Sequence, residues 1–76
     1  MKVLYSVTKG ALVLDDENFI LTYGIEATNS ENGSPLSKFS DVSVSKSTTE
    51  RIVSILNSCE IELCHFYEVV IDELNR

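Results

Sequence analysis

The side chains best able to do chemistry in this 76-residue sequence lie near its C-terminal end. His65, Glu68 and Asp72 recur at i, i+3 and i+7, a spacing that brings an imidazole and two carboxylates to one face of a helix. Such a set could hold a metal only weakly. The plainer reading is a solvated acidic face, because three exposed ligands lack the fourth ligand and the outer hydrogen bonds that fix a metal. Cys59 and Cys64 are potential nucleophiles. Cys64 and His65 are adjacent in sequence and so point about 100° apart on a helix, which does not make a thiol–imidazole pair. Both cysteines are expected to be reduced and to fill small spaces in the core.

The remaining candidates are weaker. Asp15-Asp16-Glu17 is a carboxylate cluster, yet acid–base work needs carboxyl groups made unequal by burial, and a turn leaves all three in water. Gly10, Gly24 and Gly33 stand singly and cannot form a phosphate loop. Ser37, Ser40, Ser43, Ser45 and Ser47 could accept phosphate, but an edge strand plus a helix cap accounts for them better. Tyr5 and Tyr23 belong to an apolar pattern and read as core rather than as a stacking platform for bases. No catalytic constellation, resident metal or cofactor is expected.

Composition narrows the class further. A chain of this length supports one core, and a small core makes homodimerisation an accessible route to stability. The formal net charge is −6, and residues 52–76 carry one basic against five acidic side chains. Nucleic-acid binding needs a basic stripe, which is absent. Ser6, Thr8, Lys9 and Gly10 interrupt the first apolar run, so no signal or spanning segment is expected and the protein is placed in the cytoplasm.

The elements that must position these residues follow from periodicity. Residues 2–14 and 19–28 are rich in β-branched and aromatic types around a polar turn, predicting a hairpin over 2–28. Leu14 opposite Phe19 aligns Leu12 with Leu21 but misaligns Val7. A β-bulge near Lys9-Gly10 restores Val7 opposite Ile25 and Tyr5 opposite Ala27. The inner face then reads Val3, Tyr5, Val7, Leu12, Leu14, Phe19, Leu21, Tyr23, Ile25 and Ala27. A loop is expected over 29–38 and an edge strand over 39–45. Ser47-Thr48-Thr49-Glu50 has capping-box spacing and predicts a helix over about 48–58. A second helix over 62–75 carries Leu63, Phe66, Tyr67, Val70, Ile71 and Leu74 as its core stripe. The predicted class is α+β: a three-stranded antiparallel sheet, four-stranded if the first strand is broken, followed by two C-terminal helices packed on one face.

Tyr23-Gly24-Ile25-Glu26, Asp41-Val42-Ser43 leading into the capped helix, Asn57 at its end, and His65 with Val69-Val70 and Asp72 to Leu74 carry a resemblance. Over roughly residues 20–75 the sequence resembles a family of small uncharacterised proteins from low-GC Gram-positive bacteria, a domain of unknown function. Glu62-Leu63 stands where that family has a serine-proline before the last helix. The resemblance implies a fold and a bacterial origin, and no activity.

Three functions compete. The first is a non-enzymatic interaction or regulatory module meeting a basic protein through His65, Glu68, Val69, Asp72 and Glu73, or through the edge strand. The second is a structural homodimer joined by that edge or by the sheet face holding Leu4, Val13 and Ile20, which do not fit the inner pattern. The third is a weak metal-binding protein built around His65.

Overall fold

A computed structural model describes residues 2–76. The two β-rich runs form β1 (Val3–Val13) and β2 (Phe19–Asn29), and β3 (Pro35–Ser43) pairs with the other side of β2, giving an antiparallel sheet of order β1-β2-β3. Helix α1 (Lys46–Ser58), a 3₁₀ turn (Leu63–His65) and helix α2 (Phe66–Leu74) follow. The chain is therefore an α+β fold, a three-stranded antiparallel sheet followed by two C-terminal helices, as its periodicity predicts.

The hairpin differs from expectation in register. Val13, not Leu14, stands opposite Phe19, and the β1–β2 ladder runs unbroken through Lys9↔Tyr23 and Gly10↔Thr22 to Val3↔Asn29. No bulge interrupts β1. The reason is the turn. Leu14 belongs to it, its N–H bonding to Asn18 O at 3.0 Å, while Asp15 Oδ1 accepts from the N–H groups of Glu17 and Asn18, both at 2.9 Å. A turn one residue longer moves the whole distal pairing by one position and makes the bulge unnecessary.

The bulge is on β3 instead. Tyr23 pairs with Ser43 and Ile25 with Phe39, so residues 40–42 lie opposite Gly24 alone. Asp41 takes φ 54°, Val42 turns into the core, and the Asp41 carboxylate accepts a hydrogen bond from the Thr22 hydroxyl. Gly24 is needed there because a Cβ would stand 2.6 Å from Phe39 O and 2.9 Å from Thr8 Oγ1. Strand β3 also begins at Pro35, inside the expected loop, since proline is tolerated as the first residue of an edge strand.

Helix α1 starts earlier than the capping box predicts. Ser45, not Ser47, is its cap, with Ser45 Oγ accepting from Thr48 N. At the other end Ile61 N–H bonds to Leu56 O and Glu60 N–H to Asn57 O, with Glu60 at φ 50°. This Schellman closure turns the chain back toward the sheet, and a non-glycine residue at the left-handed position costs about 1 kcal/mol.

The core joins Tyr5, Ile25 and Ala27 on one sheet face to Val42, Ile52, Leu56, Phe66 and Val70. Val70 lies one turn after Phe66, followed by Glu73, so the buried stripe of α2 is rotated from the expected one. Tyr67, Ile71 and Leu74 are exposed. The rotation follows from the 3₁₀ turn, which advances residues 63–65 by a different angle than an α-helix beginning at residue 62 would. Cys59 and Cys64 are also exposed, because one caps α1 and the other sits on that turn; neither fills the core.

Two amide bonds lock the sheet to α1. Tyr5 N–H bonds to Asn57 Oδ1 and Asn57 Nδ2 bonds to Tyr5 O, both at 2.9 Å, so the side chain of Asn57 takes the place of a neighbouring strand. Replacing Asn57→Ala leaves both Tyr5 groups unpaired and should cost about 1–3 kcal/mol in urea unfolding. Gly24→Ala should destabilise by a similar ~1–3 kcal/mol, because the blocking atom is backbone and the β3 bulge must shift.

Candidate functional site

The acidic face expected on α2 is only partly present. His65, Glu68 and Asp72 are exposed, and His65 Nδ1 lies 3.5 Å from Glu68 Oε2. Val69 packs against the core. Glu73 turns inward and is 8% exposed, with its Oε2 2.8 Å from Arg76 Nε and 3.9 Å from Arg51 Nη1. These are charge contacts without an aligned hydrogen bond. Glu73 is thus removed from the surface that sequence reasoning gave it, because the rotation of α2 carries it to the seam with α1.

The metal-ligating groups also regroup. Glu62, Cys64 and His65 bring a carboxylate oxygen, a thiol and a ring nitrogen within 4.8 Å of one another, and Asp72 is outside that group. The 3₁₀ turn is the cause, since its tighter rotation brings near neighbours together where an α-helix would separate them. Cys64 Sγ lies 3.8 Å from Glu62 Oε2. Such donors suit a borderline-soft ion such as zinc, but all three are exposed on one short turn and none is oriented by a buried partner.

Tyr5 is the most constrained polar side chain. Its hydroxyl donates to Ile61 O at 2.7 Å and its ring meets Phe66 at a centroid distance of 5.1 Å. Burial, with a further contribution from negative charge at Cys64, holds the phenol above its ordinary value. A cleft of about 630 Å³ opens beside it, lined by Lys2, Val3, Leu4, Glu31, Asn57, Glu60, Ile61 and Glu62. Its charged groups lie on the rim, and no nucleophile stands beside a base within it.

The largest unsatisfied surface is elsewhere. Every residue from Lys9 to Leu21 is exposed. Strands of 11 residues extend about 36 Å, whereas the 13 residues of α1 extend about 20 Å, so the helices cover one half of the hairpin and leave the other bare. Val13, Phe19 and Leu21 on one face are 72%, 62% and 61% exposed, Leu12 and Ile20 lie on the reverse side, and Leu14 in the turn is 58% exposed. This distal arm is apolar on both faces and ends in Asp15-Asp16-Glu17. Sequence reasoning placed Leu12, Leu14, Phe19 and Leu21 inside. The available signal was the unbroken runs Ala11-Leu12-Val13-Leu14 and Phe19-Ile20-Leu21, which do not alternate as a half-buried strand does.

No helix among the described residues is long and apolar enough to cross a membrane. Tyr5→Phe gives a pH test of the phenol. The folded state holds this proton more tightly than the unfolded state, so its contribution is complete below about pH 10 and is lost as pH rises through the folded value. The native chain should exceed the variant by about 1 kcal/mol near neutrality. That gap should narrow in urea titrations above about pH 10.

No curated protein and no solved structure matches the chain. A family profile does, over residues 1–76, under the description "Family of unknown function (DUF6514)". A single fold spanning the matched length, with its helices closed onto the first strand, agrees with the extent of that match: the chain belongs to this family of unknown function.

Proposed function

We propose that the chain is a non-enzymatic protein-interaction module whose contact surface is the bare distal arm of the hairpin. The supporting observation is the continuous exposure of Lys9 to Leu21 with large apolar side chains on both faces of the ribbon. Isolated exposed apolar residues are ordinary, but a contiguous group of this size is characteristic of a surface that another protein covers. The groups it offers are apolar side chains and strand edges, so the matching partner is an apolar β-strand rather than a charged peptide.

A second reading keeps the acidic face of α2, now reduced to His65, Glu68 and Asp72, as a weaker contact for a basic protein. Affinity capture of tagged protein from its native host's lysate separates the two. A Val13→Lys/Leu21→Lys variant should lose the retained protein, whereas Glu68→Lys/Asp72→Lys should keep it, with circular dichroism confirming that both fold. Loss with the helix variant and retention with the hairpin variant would transfer the contact to α2.

A further inference from the structure

We propose that the occupant of the distal arm is a second copy of this chain, joined antiparallel through the outer edge of β1. The proposal rests on the reading of the arm as a contact surface and specifies its partner, geometry and register.

The argument begins with where the backbone groups of β1 point. The β1–β2 ladder is bounded by Ser30 N–H bonded to Lys2 O and Leu14 N–H bonded to Asn18 O, each at 3.0 Å. Hydrogen-bonded positions alternate in an antiparallel pair, so even-numbered residues of β1 face β2 and odd-numbered residues face away. Asn57 occupies the outward groups of Tyr5. Beyond it, Val7, Lys9, Ala11 and Val13 present N–H and C=O groups along an edge where no strand pairs among the described residues.

That edge is self-complementary. In the twofold register centred on Gly10, Val7 stands opposite Val13 of the second copy and Lys9 opposite its Ala11, and each pair is repeated by symmetry. All four outward positions are then hydrogen-bonded, and no like charges face each other. Gly10 meets its own symmetry mate at a non-hydrogen-bonded position, where Cα atoms approach to about 4.5 Å and a missing side chain prevents a clash. The ladder stops at Val7 because Asn57 closes the next outward position.

Side chains and charge favour this occupant. Leu12 and Val13, on the pairing strand itself, are 48% and 72% exposed and come to lie at the new seam. The edge between Val7 and Val13 carries Lys9 as its sole charge, so the net charge of −6 does not fall on the contact. A bilayer is disfavoured because Asp15, Asp16 and Glu17 cap the arm and would have to enter first. The product is a six-stranded sheet, β3-β2-β1-β1-β2-β3.

Sedimentation equilibrium of the full chain tests this, with twice the 8.5 kDa chain mass expected. Ala11→Lys, at an exposed position, sets a lysine against Lys9 of the second copy twice and should weaken association on the order of tenfold. Ala11→Glu should preserve or tighten it by pairing with the same lysine. Ala11→Pro removes an outward N–H without touching the β1–β2 ladder and should give the one-chain mass. A dimer indifferent to all three substitutions overturns the proposed register. A one-chain mass for the native protein overturns the second copy. Combined with capture of a protein that Val13→Lys/Leu21→Lys loses, it leaves the interaction reading standing; without such capture, that reading fails too.

Discussion

The structure depends on how Tyr5 is held. Its backbone N–H and C=O are taken by the Asn57 amide, its hydroxyl by Ile61 O, and its ring by Phe66, so one residue of the first strand meets the end of α1, the turn after it and the start of α2. The Schellman closure at Glu60 makes this possible by reversing the chain immediately after Asn57. Ile52 and Leu56 then lie over Tyr5, Ile25 and Ala27, and the core is complete within the proximal half of the sheet.

The bare arm follows from that arrangement. A helix rises less than half as far per residue as a strand, so 13 helical residues anchored at Tyr5 cannot reach the far end of 11-residue strands. The core ends near Val42 and Ile25 while the ribbon continues. Its side chains remain apolar although nothing within the described residues covers them.

Sequence patterning identifies each strand and α-helix because propensity and periodicity are local, although the cap of α1 is Ser45 and not Ser47. It fails where turn geometry or packing from another strand decides the outcome. The hairpin register departs from the pattern because Leu14 is apolar yet belongs to a turn organised by Asp15, and because the ribbon has no single buried face to enforce alternation. The β3 bulge was invisible because it depends on Gly24 receiving the backbone of Phe39 from another strand. The exposure of His65 on the 3₁₀ turn, and of Glu68 and Asp72 on α2, agrees with the sequence pattern. Glu73 was misplaced because the preceding 3₁₀ turn, which no residue type announces, rotates the helix.

The pairing of Tyr5 with Asn57, 52 positions later, also constrains the order of events during synthesis. While the chain emerges, β1 and β2 can close their turn locally, but the proximal edge stays open until the end of α1 has left the ribosome. The nascent hairpin therefore passes through a stage with its whole outer edge available and its inner face uncovered. Loop closure over such a separation is slow relative to local pairing, so this stage has a lifetime set by translation and late docking. Vulnerability to misassembly is therefore concentrated in the interval before Asn57 docks on Tyr5.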